Sequence, residues 1–103
     1  MKIVIRNNTD IANKYVRFIK WKLYRIRRKF KSLIYAIVHI KRVTKKKDLF
    51  KVTITLGVPG RDIVISHKKT SLSRLFRDSV DDVHRYLNEH KKMRLSGQFA
   101  SNK

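Results

Sequence analysis

The residues best suited to bind a ligand lie between Ile11 and Lys31. This segment contains nine Lys or Arg, five aromatic residues and no Asp or Glu. Lysine and arginine neutralise phosphate groups, and exposed aromatic rings stack on unpaired nucleic-acid bases. On a helix of about 100° per residue, two arginines and two aromatics fall together, away from the apolar residues: Arg17, Trp21, Tyr24 and Arg28. This pattern predicts an RNA-binding surface. Alternatively, Trp21 packs against the C-terminal tail.

A second set of basic residues borders the apolar side of the same segment. Lys22, Arg25 and Lys29 recur at helical spacing, where this helix would meet a neighbour. We interpret them as one wall of a basic groove between two helices. Long side chains that merely cover the edge of the core would show the same spacing. Three consecutive lysines also occupy a predicted hairpin loop, where they either contact a phosphate backbone or form an ordinary charged loop: Lys45, Lys46 and Lys47.

The four histidines and seven acids form no recognisable catalytic or metal-binding pattern. His84 and His90 are six residues apart on a predicted helix, whereas pairs of metal ligands on a helix are three or four apart. His90 falls within the apolar arc of its helix, which favours a half-buried packing role. His39 and His67 lie on predicted strands without a nearby acid in the sequence. With no cysteine, no nucleophile motif and no glycine-rich phosphate loop, we predict a non-enzymatic protein without a cofactor or metal.

The overall composition supports a polyanionic partner for one small folded domain. The chain has 103 residues, a net charge of +20 and a hydrophobic content of 42%, so it can form a core and is unlike a disordered basic tail. Such a charge repels itself, and a phosphate-bearing partner would offset this cost. Nucleic acid is the first candidate and an anionic membrane surface the second. Without a signal peptide or a long uncharged run, we expect a cytoplasmic protein that does not span a membrane.

The apolar pattern predicts the element order β-α-β-β-β-α. Strands are expected over residues 2–6, 33–43, 50–57 and 62–67, and helices over residues 11–31 and 72–94. Asp10 is the predicted N-cap of the first helix and Ser32 its end, and Thr70 or Ser71 caps the second helix. Pro59 and Gly60 predict a tight turn between the last two strands. A helix between the first two strands favours parallel pairing with a right-handed crossover.

These elements predict an α+β fold in which two helices pack on one face of a four-stranded mixed sheet. The apolar arc of each helix should cover that face. The first arc comprises Ile11, Tyr15, Phe18, Ile19, Leu23, Ile26 and Phe30, and the second comprises Leu72, Leu75, Phe76, Val80, Val83 and Leu87. The opposite face would be exposed. We expect residues 1–94 to form the domain and residues 95–103 a flexible polar tail.

Three stretches of the chain match the residue pattern of a known family at aligned positions. One is the run VTITLGVPG from Val52 to Gly60, followed by Ile63. The second helix continues the pattern without a gap, at Leu72, Phe76, Asp81, Val83, Arg85, Leu87, His90 and Lys91. The first helix adds Phe18, Ile19, Lys22, Leu23, Arg25, Ile26 and Phe30. Over residues 1–94 the chain resembles the ribosome hibernation promoting factors, which include ribosome-associated protein Y and the sigma-factor modulation proteins.

The resemblance implies a fold like that of a double-stranded RNA-binding domain, and a role on the ribosome. Members bind ribosomal RNA in the decoding channel of the small ribosomal subunit, where they block messenger and transfer RNA. Lys22, Arg25, Arg85 and Lys91 match basic family positions that line the groove between the helices. Trp21 is an aromatic residue additional to those of the usual family pattern. The domain by which long members pair ribosomes is missing, so we expect no ribosome dimerisation by this chain alone, and a monomer off the ribosome.

Two other functions remain open from the sequence. A general nucleic-acid-binding protein of nucleoid or RNA-chaperone type would use the same basic face without ribosome specificity. A membrane-surface protein would use the first helix as an interfacial anchor. The membrane alternative is disfavoured because the apolar arc of that helix is expected to cover the sheet. No small-molecule substrate is predicted.

Overall fold

The computed structural model describes residues 2–44 and 48–96, without the side chains of residues 93–96. Its elements follow the predicted order: β1 Lys2–Asn7, α1 Asn13–Lys29, β2 Tyr35–Arg42, β3 Phe50–Val58, β4 Arg61–Lys69 and α2 Leu72–Ser96. The prediction of an α+β fold with two helices and four strands is therefore confirmed. The ends of several elements differ from the prediction. α2 continues two residues past the expected boundary at residue 94.

The four strands form one mixed sheet in the order β1-β2-β3-β4. β1 pairs with β2 in parallel, as the intervening helix predicted, and the other two pairings are antiparallel. Pro59 and Gly60 join β3 to β4, and Gly60 has a φ of 92°. A positive φ at the residue after proline is the geometry of a type II turn, and glycine adopts it without steric cost.

The core lies between the helices and one face of the sheet. The alternation predicted for β3 is observed: Val52, Ile54 and Leu56 are fully buried, while the threonines between them are partly exposed. Both helices bury their apolar arcs against this face, with Leu23 and Val83 at 0% exposure. α1 packs beside β1, and α2 packs over β3 and β4 and against α1. Among the described residues, no element packs on the opposite face of the sheet.

The beginning of α1 departs from the prediction. Asp10 was expected to cap the helix, but the N-cap is Ala12, which makes no side-chain capping bond. Thr9 instead turns the chain, because its amide and hydroxyl both donate to Asn7 Oδ1, at 2.9 and 2.6 Å. The Ile11 amide in turn donates to Thr9 Oγ1 at 3.3 Å. These local bonds compete with helical ones and delay the helix to Asn13.

The end of α1 also differs from the prediction. Ser32 was expected to close the helix, but the C-cap is Phe30, whose amide donates to the Ile26 carbonyl. The Leu33 amide then donates to the Phe30 carbonyl at 3.1 Å. Both Phe30 and Leu33 are buried, so the chain turns directly into β2 at this point.

The start of α2 confirms the predicted cap. Ser71 Oγ accepts a hydrogen bond from the Arg74 amide at 3.4 Å. Within α2 the Ser79 hydroxyl donates to the Leu75 carbonyl at 2.6 Å, which satisfies a fully buried polar group. His90 is 1% exposed, deeper than expected, and its Nε2 lies 3.3 Å from the Pro59 carbonyl oxygen. His90 therefore has the predicted packing role and links α2 to the β3–β4 turn.

Candidate nucleic-acid interface

Trp21 is a large apolar side chain held on the outer surface of α1. Its exposure is 54%, which leaves much of the ring available for contact with a partner. Arg25, one turn further along, places its guanidinium 4.9 Å from the ring centroid, and Lys22 Nζ lies at 5.3 Å. The ring is therefore surrounded by two cations that can bind phosphate while it stacks on a base.

A basic cavity opens beside Trp21, between α1 and α2. Its volume is about 490 Å³, and it is lined by Lys22, Arg25, Ile26, Arg28, Lys29 and His84. α1 provides all four cations because positions three, four and seven apart share a face. No acidic side chain is among the lining residues. The arrangement concentrates positive charge in a concave site, where it attracts anions more strongly than on a convex surface.

His84 forms the α2 wall of this cavity. Its ring meets Phe30 edge to face, with centroids 6.1 Å apart. Partial burial and then the charge of Lys29 lower its pKa below the ordinary value of 6.5, with smaller contributions from Lys22 and Arg25. The negative charge of Asp81 raises the pKa of His84. This effect is smaller than the lowering caused by burial and by Lys29. Together these effects favour the neutral imidazole.

The remaining predicted residues of α1 lie on its outer side. Tyr24 is 47% exposed, and Arg17 is also exposed. Arg28 was grouped with them from the helical pattern, and in the structure it also lines the basic cavity. Trp21 and Arg28 therefore connect the cavity with the outer face of the helix. The C-terminal tail, against which Trp21 could alternatively pack, lies outside the described residues.

The two predicted residues of α2 occupy different positions. Arg85 donates from its NH2 to Asp82 Oδ1 at 3.0 Å, and its guanidinium lies 5.3 Å from the Tyr86 ring centroid. The second carboxylate oxygen of Asp82 is 2.6 Å from Nε2 of His67 on β4. Arg85 is therefore directed towards β4 and does not line the basic cavity. Lys91 is exposed and follows His84 by seven residues, which places both on one stripe of α2. Since Phe30, the C-cap of α1, already lies against His84, Lys91 lies beyond the end of α1.

The sequence interpretation missed two members of that stripe, Arg77 and His84. Arg77, His84 and Lys91 are spaced by seven, as are Lys22 and Lys29 on α1. Arg77 helps to line a second cavity, of about 360 Å³, further along the same interhelical groove: Lys14, Tyr15, Phe18, Ser73, Phe76 and Arg77. The seven-residue spacing was visible in the sequence. It could have identified these positions once the two helices were assumed to be neighbours.

Other predicted features are limited by what the structure describes. Lys45, Lys46 and Lys47 lie outside the described residues, so their position is not tested. Within the described residues, no three His, Cys, Asp or Glu side chains form a group that could hold a metal ion. Across the same residues, neither helix combines the length and apolar character needed to cross a bilayer.

Comparisons with known proteins identify the fold. No family model matches the chain, and a search of curated proteins found no matching sequence. Among solved structures, the Protein Y N-terminal domain from Thermus thermophilus aligns with a TM-score of 0.66 at 19% identity, covering 86% of this chain and 94% of that one. A ribosomal subunit interface protein from Coxiella burnetii aligns with a TM-score of 0.70 at 18% identity, covering 89% and 99%. The chain therefore shares the fold of these two proteins, as the resemblance to the hibernation factors predicted.

Proposed function

We propose that this chain is a ribosome-associated translation inhibitor of the hibernation-factor family. It would bind ribosomal RNA in the decoding channel of the small subunit and exclude messenger and transfer RNA. The observation that carries the proposal is the basic cavity between α1 and α2, with four cations and no acid in its lining. The shared fold supports it, since one structural neighbour is described as a ribosomal subunit interface protein.

The proposed mechanism is steric occlusion by a rigid body. Two helices packed on a sheet, with a continuous core, present one basic face that can lie against folded RNA without rearranging. Lys22, Arg25 and Lys29 would contact phosphates, and Trp21 would stack on an unpaired base. Phosphate contacts would supply most of the affinity. No step in this mechanism requires bond chemistry, so the proposed role is non-enzymatic and uses no cofactor.

Two acids of α2 lie away from this face, whereas Asp81 is near enough to His84 to raise its pKa. Asp78 pairs with Lys69 of β4 at 3.2 Å, and Asp82 pairs with His67 and Arg85. These carboxylates therefore face β4, away from the groove between the helices. The resulting lopsided potential would orient the protein as it approaches an RNA surface. We further propose that the two helices and four strands form the ribosome-binding domain of a cytoplasmic monomer. The tail expected over residues 95–103 begins inside α2, and residues 97–103 lie outside the described residues.

Co-sedimentation with purified small ribosomal subunits tests the proposal. The experiment uses near-physiological salt, excess duplex DNA as competitor and labelled initiator transfer RNA as a second ligand. We expect the protein to remain with the subunit and to displace the transfer RNA. If the DNA removes the protein from the subunit, the chain is instead a general nucleic-acid-binding protein of nucleoid or RNA-chaperone type.

The dependence on salt provides a second, independent test. A surface that neutralises about 6–10 phosphates should lose roughly 10³–10⁵-fold in affinity between low and moderate salt. An apolar contact surface would show little change. A nearly flat salt dependence would therefore contradict a mechanism based on phosphate contacts.

A further inference from the structure

The pairing of the strands brings three lysines into one row across the sheet. Lys41 of β2 lies directly opposite Lys51 of β3, and Lys51 lies directly opposite Lys68 of β4. We call these three residues the lysine ladder. They are 10 and 17 residues apart in sequence, so only the strand register reveals the row. Adjacent strands are about 4.8 Å apart, and the ladder therefore spans roughly 10 Å.

The lysine ladder projects from the face of the sheet opposite the helices. Its chain neighbours Ile40 and Val52 are fully buried in the core, and alternate residues of a strand point to opposite faces. On β4 the flanking His67 and Lys69 bond Asp82 and Asp78 of α2, so Lys68 points the other way. The ladder is thus separated from the basic cavity by the full thickness of the core.

The three charges of the ladder are not compensated within the described residues. None of the ion pairs found there includes Lys41, Lys51 or Lys68. Like charges directly opposite each other on neighbouring strands lower the stability of a sheet. Two such pairs in succession are an unfavourable arrangement that an anionic ligand would relieve.

The next row of the same face carries one further cation, Arg6, together with other hydrogen-bonding groups. Its members pair across all four strands: Arg6, His39, Thr53 and Ser66. The hydroxyls of Thr53 and Ser66 lie 3.1 Å apart, and Asn8 Nδ2 lies 3.3 Å from His39 Nε2. Lysine, arginine, hydroxyl and amide groups are the side chains that contact phosphate and sugar in nucleic-acid complexes. The row therefore extends the ladder with groups of matching chemistry.

We propose that the lysine ladder is a second nucleic-acid site, which binds the phosphate backbone of an RNA segment on the open face of the sheet. The ladder contains no aromatic residue, so it would position RNA without reading its sequence. With the basic cavity on the other side, the protein would bind two RNA segments at once, one on each face. This inference does not require the partner to be a ribosome.

Nuclear magnetic resonance of the full-length protein tests the ladder directly. A short RNA hairpin is titrated into isotope-labelled protein, and the backbone amides of both surfaces are followed. We expect the amides around Lys41, Lys51 and Lys68 to shift in a binding step distinct from that of the cavity. In a Lys41→Gln/Lys51→Gln/Lys68→Gln variant this step should disappear while the cavity step remains.

A matched variant controls for the change in net charge. Lys2→Gln/Arg61→Gln/Arg74→Gln removes the same three charges from exposed positions outside the ladder and outside the lining of the basic cavity, and it should keep both binding steps. Lys2 lies on the open face, but at the other end of β1 from Arg6. The ladder variant should melt at a higher temperature than the unmodified protein because the opposed charges are gone. Should the triple variant not fold, Lys51→Gln alone should lower the slope of log affinity against log salt by about 1.

Several results would overturn the proposal. Ladder amides that do not shift at saturating RNA would exclude the site. Equal losses of RNA binding in the ladder variant and the control variant would show that the effect arises from net charge alone. Saturation of the same amides by polyglutamate or by anionic lipid vesicles at lower concentration than RNA would assign the face to a different partner. Co-sedimentation with small subunits, run in parallel, separates failure of the ladder from failure of the proposed ribosomal role.

Discussion

The Phe30 ring meets the His84 ring edge to face across the groove between α1 and α2, with centroids 6.1 Å apart and planes inclined by 69°. Phe30 is 3% exposed and belongs to the core, so this contact connects a fixed part of the molecule to the wall of the basic cavity. His84 is thereby held where its imidazole is surrounded by the ammonium and guanidinium groups of α1. An anion that enters the basic cavity should therefore change the protonation of His84.

RNA binding should strengthen as the pH falls, through His84. Burial and the neighbouring cations lower the pKa of His84 in the free protein. Phosphates in the cavity would neutralise those cations and raise the pKa again, so binding would take up a proton. Each unit by which the pKa rises can contribute up to about tenfold in affinity at low pH. Affinities measured by fluorescence anisotropy between about pH 5.5 and 8 around the His pKa should show this slope.

The matched control is a histidine on the opposite side of the molecule. His39 is exposed on the open face of the sheet, outside the cavity. His84→Gln should flatten the pH dependence of affinity for RNA bound in the cavity. His39→Gln should leave it in place when both are measured in the Lys41→Gln/Lys51→Gln/Lys68→Gln background, where only the cavity binds RNA. If both variants retain the full slope, His84 does not take part in binding.

The lowered pKa of His84 also has a consequence for folding. The unfolded chain binds a proton at His84 more readily than the folded chain, so the unfolding free energy should increase with pH. The contribution is complete above the unfolded pKa of about 6.5 and is lost as the pH falls through the lower folded value. Urea unfolding of the unmodified protein and of His84→Gln at several pH values would measure it. A pH dependence that is unchanged by the substitution would contradict this assignment.

Charge reversal in the cavity should abolish tight binding without unfolding the protein. Lys22→Glu/Arg25→Glu replaces two groups that line the cavity and approach Trp21. We expect the salt slope of RNA affinity to fall by about 2 and co-sedimentation with small subunits to be lost. Lys2→Glu/Arg61→Glu makes the same change in net charge at exposed positions away from the cavity and should bind far better. Equal binding by the two variants would exclude the cavity as the site.

The fold was predictable because local pattern and tertiary packing agree along most of the chain. The alternation of β3 and the apolar arcs of both helices are local properties, and they correctly placed residues such as Leu56 and Val83 in the core. The N-cap of α1 was wrong because the bonds of Thr9 with Asn7 compete with the helix. A sequence pattern indicates that Asp10 can cap a helix, but not which local hydrogen bonds form.

The site was only partly predictable, since its remaining relationships join residues distant in sequence. No acid near His67 in the sequence was singled out, yet its Nε2 lies 2.6 Å from Asp82 Oδ2, 15 residues further along. The same Asp82 pairs with Arg85 and directs it towards β4. The lysine ladder depends on the register of three strands. None of these contacts follows from the period of a single helix or strand.

Removal of the Trp21 ring should weaken binding to unpaired RNA more than to duplex RNA. Stacking on an aromatic side chain contributes roughly 1–3 kcal/mol per base, which corresponds to about 5–150-fold in affinity by the relation of 1.4 kcal/mol to a factor of ten. Trp21→Ala should show this loss with a looped RNA, and Trp21→Phe should recover part of it. Because the side chain is 54% exposed, the melting temperature should change little. Equal losses with looped and duplex RNA would contradict stacking.

Tyr35 and Gly57 form a cross-strand pair in which an added side chain should be destabilising. They are direct partners in the β2–β3 register, and a Cβ on Gly57 would collide with the Tyr35 ring. The Tyr35 hydroxyl donates to Asp62 Oδ1 at 2.6 Å, which raises the pKa of Tyr35 and helps to hold the ring in place. Gly57→Ala should lower the melting temperature by roughly 4–8 °C. In a Tyr35→Ala background the same substitution should have a much smaller effect, and equal effects in both backgrounds would exclude this collision.

A charge in the core should unfold the protein, and an equivalent charge on the open face of the sheet should not. Leu56 is fully buried, whereas Val64 on the neighbouring strand is 62% exposed. An aspartate at Leu56 would lose its hydration without gaining a partner, at an effective cost of several kcal/mol. Domains of this size are stable by only about 5–15 kcal/mol. Circular dichroism should therefore show Leu56→Asp unfolded or strongly destabilised. Val64→Asp should stay folded and bind RNA in the basic cavity, because that cavity lies on the other side of the core.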